Sequence, residues 1–330
     1  MEPGEPKFDR ENGISKIVGF TPEETVDLNL AAQEIFENQD GKQIFYRERD
    51  QETAVDVKGL EREKTPEEKE VILAILRKLP EFVRKYGGKP VNITEGHIHV
   101  LDPNKLGEGA QKDREERGIS AAHYSSQQFI SIFDNKNILE LAFRVVHEAI
   151  HFDSFQSQEK KPGKKYGTQR RRSGFAVDSY VTGEMETYFH GINEALTEEL
   201  TKRFADKYFN DIPALKLELE KTRKLKDLVR QKYPDRSGLA DDIAFVSKES
   251  DVLEESRAGY YSYSTERKKT NTYFRTIYEQ NSGEYKSQED VFEVFARAMM
   301  TGNLMPAARL VEETFGPGSF RKLGIISAKP

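Results

Sequence analysis

Cysteine and tryptophan are both absent from this 330-residue sequence, and histidine occurs only six times. Without cysteine, disulfide scaffolds, cysteine-ligated zinc, iron–sulfur clusters and thiol catalysis are excluded. No apolar run approaches the ~18 residues of a membrane span. The opening MEPGEPKFDRENG lacks the apolar core of a secretory signal. These absences lead to the expectation of a cytoplasmic protein with no membrane partner. An excess of positive charge is missing too. The 51 Lys and Arg stand against 57 Asp and Glu, a net −6 that argues against a nucleic-acid partner. Hydrophobic residues make up 36% and charged residues 33%, so solvated loops are expected, while 20 Phe and 14 Tyr are enough for a core.

Residues 1–64 read as a polar N-terminal segment, partly disordered, with one helix expected over Thr25–Asn38. Residues 65–330 read as the main domain, 65–192 carrying a sheet and a central helix and 193–330 a helical subdomain. Thr65-Pro66-Glu67-Glu68 has the pattern of a helix start, and Pro80 predicts a kink before the stop at Gly87-Gly88. Strands are expected over Val91–Leu101 and Ser120–Phe133. Asn137 opens an almost wholly apolar helix running to about Phe155, which predicts a buried central position. A basic loop over residues 156–172 and a β-hairpin turning at Val181-Thr182-Gly183-Glu184 follow. Helices are then expected over Asn193–Asn210, Ile212–Lys232, Asp241–Glu255, Ser264–Gln280, Ser287–Thr301 and Pro306–Phe315. This order predicts an α+β fold with a small mixed sheet.

The central helix contains His147-Glu148-Ala149-Ile150-His151, an HExxH pattern. Residues four apart share one helix face, so both imidazoles can hold one metal ion with Glu148 beside them. Burying three such side chains in an apolar helix is costly unless they are paired or ligated. Two His require at least one further protein ligand. Ser154 and Ser157 stand where HExxHxxGxxH would need Gly and His, which excludes the metzincin arrangement. A carboxylate from a later helix remains, and Gly191–Leu200 supplies Glu194, Glu198 and Glu199.

Asn193-Glu194-Ala195-Leu196-Thr197-Glu198 resembles the NE-A/G-x-x-D/E segment of gluzincin metallopeptidases of the thermolysin and aminopeptidase N type. The resemblance spans roughly residues 90–210. It implies a zincin-like fold around the HExxH helix and one zinc ion per chain. His147, His151 and Glu194 would be the ligands, with Glu198 accepting a hydrogen bond from a zinc-binding His, His147, and so orienting its ring. Glu198 or Glu199 as the ligand is the competing assignment. The stretch between His151 and Glu194 is longer than usual for the group, the basic run and the hairpin accounting for the excess. The implied activity is that of a zinc metallopeptidase acting on a peptide or protein, with a zinc-activated water and Glu148 as general base. An oxyanion-stabilising Tyr is implied downstream. Tyr261 and Tyr263 in Gly259–Arg267 are the candidates, with Tyr188 as a rival. The alternatives are a non-catalytic zincin-fold binding protein and a zinc hydrolase acting on a non-peptide amide or ester.

Several features stand apart from this motif. His97 and His99 are read as alternating on a strand, where they would share a face and offer a second metal site, although a packed strand face is the commoner outcome. His190 precedes the ligand segment closely enough to approach the site, and Asn193 is a candidate helix cap. The polar run Ser125–Gln128 suits an exposed edge strand to which a substrate could add. Lys160, Lys161, Lys164, Lys165, Arg170, Arg171 and Arg172 read as a solvated loop, or as a rim that selects acidic substrates or touches nucleic acid.

Overall fold

A computed structural model describes residues 10–48, 51–134, 137–161, 163, 168–179, 185–247 and 258–326. The fold is mixed α+β, with several small sheets. The chain opens with β1 (Lys16–Val18), α1 (Pro22–Glu37), β2 (Gln43–Glu48), β3 (Gln51–Asp56), α2 (Val57–Leu60) and α3 (Pro66–Lys85). Next come β4 (Ile98–Leu101), α4 (Glu108–Glu116), β5 (Ala121–Tyr124), β6 (Phe129–Phe133) and α5 (Ile138–Asp153). A strand-rich stretch follows, with β7 (Gln156–Lys160), β8 (Thr168–Ser173), β9 (Ala176–Ser179) and β10 (Glu186–Tyr188). The remainder is α6 (His190–Tyr208), α7 (Lys216–Lys232), α8 (Ser237–Asp241), β11 (Ile243–Val246), β12 (Ala258–Tyr260), α9 (Ser264–Gln280), α10 (Gln288–Thr301), α11 (Met305–Phe315) and α12 (Ser319–Ile326).

Helix α5 is the axis of the molecule. Asn137 caps it, its Oδ1 accepting from the N–H groups of Leu139 and Glu140 at 2.9 Å each. Every residue from Leu141 to Asp153 except Arg144 is buried. Its apolar positions pack with those of α3, α6, α9 and α10 in the largest hydrophobic cluster. Helix α3 begins with the expected capping box, Thr65 and Glu68 satisfying each other's main-chain N–H, and continues past Pro80 as one helix.

The sheet beside α5 has strand order β4-β6-β5, with β4 parallel and β5 antiparallel to β6. The single strand expected over Ser120–Phe133 is instead a hairpin. Its turn is the polar run Ser125–Gln128, and Gln128 takes a left-handed φ of 53°. The strand that leads into α5 is therefore central and fully buried, and the edge strand is β5. The long strand expected over Val91–Leu101 shortens to β4, because Glu95–His97 coils into a 3₁₀ turn.

Two other expectations are corrected. Most of the described part of the basic run is strand: Lys160 ends β7 and Arg170, Arg171 and Arg172 lie in β8, its antiparallel partner, while Lys161 lies in the connection between them. Arg170 pairs with Asp178 at 2.6 Å, Arg171 with Glu159 at 2.6 Å and Lys160 with Glu24, and Arg172 donates to the carbonyls of Gly174 and Gly302. Lys164, Lys165 and Tyr166 lie outside the described residues. The hairpin pairs β9 with β10 in the expected place, and its tip at Val181–Glu184 is likewise outside them. The helix expected over Asp241–Glu255 begins as strand β11, which pairs with β12. Ile243 and Val246 pack on Leu225 and Val229 of α7 while Ala244 faces the main core, and this burial on both faces, with pairing to β12, prevails there over helical spacing.

The segment before residue 64 is largely built into the fold from Arg10 onward. Phe36 of α1 belongs to the main core, while Ile44, Val57 and Leu60 join Leu101, Phe129 and Phe133 in a second cluster. Arg10 closes the C-terminal end of α5. Its guanidinium donates to the carbonyls of Phe152, Asp153 and Ser154 at 3.4, 2.8 and 3.3 Å. These are carbonyls that the helix cannot satisfy internally.

His97 and His99 do not form a metal pair. His97 Nε2 donates to the Phe36 carbonyl at 3.0 Å, and its Nδ1 accepts from the Thr94 N–H at 3.1 Å. His99 Nδ1 bonds Glu61 Oε2 at 3.0 Å. Burial pushes the His97 pKa down from 6.5 to about 4, outweighing the bond to the Phe36 carbonyl. The unfolded chain therefore binds a proton that the folded chain refuses. Stability present above pH 6.5 is lost as the pH falls toward about 4. We expect urea unfolding to show an acid-side loss of up to roughly 3 kcal/mol from this residue. A His97→Gln variant should be less stable at neutral pH and should show a flatter decline over the same interval.

Candidate metal centre

Helices α5 and α6 bring their polar residues together inside the core. On α6, Glu194, Thr197, Glu198 and Thr201 are buried along the side that packs on α5. Helix α6 starts at His190 rather than Asn193. Phe189, at φ 59°, sets the turn into it. Asn193 consequently caps nothing. Its Oδ1 accepts from the Phe175 N–H at 2.8 Å and fills the space where a Cβ on Gly174 (φ +56°) would fall.

His147 Nε2, His151 Nε2 and Glu194 Oε2 converge on one point. The two nitrogens are 3.2 Å apart, and Glu194 Oε2 is 3.2 Å from His151 and 3.4 Å from His147. Two imidazole nitrogens and a carboxylate so close, buried, require positive charge at their centre. A cation held between them would supply it, and edges of 3.2–3.4 Å suit ligands on one ion, whether tetrahedral at about 2.0 Å or octahedral at about 2.3 Å. The two imidazoles suit a transition metal, a class that includes zinc, copper, iron and nickel. Among the described residues, His147, His151 and Glu194 form the cluster able to hold a metal ion, and His97, His99 and His123 contribute nothing to it.

The partners of these side chains are equally specific. His147 Nδ1 donates to Glu198 Oε2 at 2.7 Å, which leaves the Nε2 lone pair free for a cation. Thr197 Oγ1 lies 3.5 Å from His151 Nδ1, and Gln156 Nε2 donates to the His151 carbonyl at 2.6 Å. Burial works to raise the Glu194 pKa, and the two imidazoles outweigh it, holding the carboxyl well below its usual range. His147 shows the converse. Burial works to lower it, and Glu194 and Glu198 together hold it well above its ordinary value. Glu199, the competing ligand, faces elsewhere and pairs with Arg203 and Arg267 at 3.5 and 3.6 Å.

Glu148 is buried beside this cluster, and burial raises its pKa against the pull of the two imidazoles. Its carboxylate accepts from the main chain of His123 on β5. A cavity of about 750 Å³ opens in front of it, lined by Ser120, Ala121, Phe143, His147, Tyr260 and Tyr263 among others. The Phe133 N–H donates to the Ser120 carbonyl at 3.0 Å, which sets the alternation of the β5–β6 pairing. The main-chain groups of Ala121 and His123 consequently point to the free edge of β5, on the Glu148 side.

The tyrosines separate cleanly. Tyr263 stacks on His147 with ring centres 5.9 Å apart and planes within 15°, and its hydroxyl faces Glu194. Burial and the Glu194 and Glu148 charges push its pKa far up, so the hydroxyl remains a proton donor. Tyr261 packs edge-on against Phe143 in the cavity wall, at 5.2 Å. Tyr188 gives its hydroxyl to Glu186 at 2.6 Å on β10. His190 lies at the cavity, its Nδ1 3.7 Å from Glu194 Oε1. Spacing alone did not reveal the His123 and Ser262 main-chain contacts, because main-chain donors carry no residue signature.

Comparison with protein-family models, with curated proteins and with solved structures finds no match for this chain. The geometry stands on its own. We expect zinc to raise the unfolding free energy by about 2.7 kcal/mol at free zinc a hundredfold above Kd. Differential scanning calorimetry with and without zinc checks this, and the shift should vanish in His151→Ala.

Proposed function

We propose that this chain is a zinc-dependent peptidase with a gluzincin-like site. The observation that carries the reading is the triangle of His147 Nε2, His151 Nε2 and Glu194 Oε2, with edges of 3.2, 3.2 and 3.4 Å, set beside the buried carboxylate of Glu148. His147, His151 and Glu194 would hold the metal, which supplies Lewis acidity to a carbonyl and to an attacking water.

The chain's own groups account for the other parts of a hydrolytic site. The His123 main chain orients Glu148, and burial raises its pKa, so it accepts a proton from water more readily than an ordinary carboxylate. The same carboxyl then returns that proton to the leaving nitrogen. The Tyr263 hydroxyl, kept protonated, donates to oxygen as negative charge develops on it. The free edge of β5 presents the main-chain N–H and carbonyl of Ala121 and the carbonyl of His123 to an extended peptide, which favours a peptide over a small amide or ester. A non-catalytic binding protein has no use for the base at Glu148 or the donor at Tyr263.

Two variants test the assignment. Glu148→Gln should bind zinc with wild-type stoichiometry and lose peptide hydrolysis. Turnover at the wild-type rate would remove Glu148 as the base. Tyr263→Phe should lower kcat roughly 10²–10³-fold with little change in KM. Tyr261→Phe should stay near wild type, because its ring serves the wall. Steady-state hydrolysis of a quenched-fluorescent peptide library reads both.

A further inference from the structure

Glu198 makes two bonds at once, and they go to opposite sides of the site. Its Oε2 accepts from His147 Nδ1 at 2.7 Å, and its Oε1 accepts from the main-chain N–H of Ser262 at 2.8 Å. Ser262 immediately precedes Tyr263, whose backbone is left-handed at φ 54°. Non-glycine residues avoid that conformation unless the surroundings impose it. The surroundings here are identifiable. The Tyr261 N–H donates to the Asp242 carbonyl at 2.9 Å, and Arg267 N–H donates to the Tyr263 carbonyl at 2.8 Å. The Arg267 side chain reaches Asp242 at 3.2 Å and Glu199 at 3.6 Å. Neighbouring carboxylates of α6 thus hold both ends of the segment that carries Tyr263.

We propose that Glu198 is a positioning residue that couples the metal ligand His147 to the placement of Tyr263, so that metal binding and the order of the Tyr263 segment depend on each other. The proposal rests on the zinc reading above. With Nε2 of His147 held by a cation, its Nδ1 must carry the proton, and that proton fixes one oxygen of Glu198. The other oxygen is then aimed at the Ser262 N–H, and Tyr263 is carried over His147 and Glu194. Two acceptor oxygens are needed, and only a carboxylate offers two. A glutamine in the same place must turn an NH₂ donor toward one partner. Turned toward His147, it favours the tautomer with the proton on Nε2, which cannot bind metal. Turned toward Ser262, it sets two donors against each other and releases the segment.

The test uses the full chain with zinc alone as the probe. Zinc affinity is measured by competition with a chromophoric chelator. Hydrogen exchange of the peptide containing Tyr260–Tyr263 is followed by mass spectrometry, with and without zinc, in wild type, Glu198→Gln and Glu198→Ala. Exchange around Val145 in α5 reports folding. In wild type, which needs no variant to fold, zinc should slow exchange at Ser262. Glu198→Gln should lose either roughly 10–100-fold in zinc affinity or gain about tenfold in exchange rate at Ser262, and Glu198→Ala should show both. A Glu198→Gln protein that keeps both wild-type values would overturn the coupling. So would a wild type that binds zinc with no change at Ser262. A wild type that takes up no zinc at all overturns the zinc reading itself, and the coupling falls with it.

Discussion

Two imidazoles and two carboxylates buried between packed helices must neutralise one another or hold a cation, because burial strips them of most of their hydration. That requirement organises the contact of α5 with α6. His147 and His151 on one helix and Glu194 and Glu198 on the other interlock as donors, acceptors and ligands, with no separation above 3.4 Å along the chain of contacts. Apolar packing of Ile150, Leu196, Leu200 and Phe204 positions the two helices, and the polar cluster fixes their register. A shift of one residue on either helix would leave buried charge unpaired, which costs far more than the loss of one apolar contact.

The rest of the molecule supports that contact from outside. Asn137 fixes where α5 starts, and Arg10 occupies the carbonyls where it ends. Strand β5 supplies the main-chain group that holds Glu148, and its place at the sheet edge leaves the neighbouring groups free. The segment from Tyr261 to Arg267 closes the opposite wall through Asp242, Glu198 and Glu199. Residues from five separate stretches therefore meet at one cavity, as a cleft between a sheet and a helical half requires.

How much of this was legible in the sequence depends on the range of the interaction involved. The i, i+4 spacing of His147 and His151 placed both on one face, and the apolar residues around them announced a buried helix. Glu194 and Glu198 were found through a resemblance, and the structure seats them against those same imidazoles. Tyr261 and Tyr263 could not be told apart, since the left-handed turn that aims one at Glu194 and sends the other into the wall is set by contacts with Asp242 and α6. The hairpin at Ser125–Gln128 was missed because its turn uses a left-handed Gln rather than Gly or Asn. The basic run looked like a loop because its neutralising partners, Glu24, Glu159 and Asp178, come from other strands and from α1. Local periodicity finds elements, whereas pairing across the chain decides what charged residues in them do.

The central claim is that the triangle between α5 and α6 is a tetrahedral zinc site. X-ray absorption at the zinc edge of the reconstituted protein tests it most directly. The account predicts one zinc per chain with four nitrogen and oxygen ligands at about 2.0 Å and the outer-shell scattering of two imidazoles. A six-oxygen shell, a single imidazole, or a protein that takes up no zinc would contradict it.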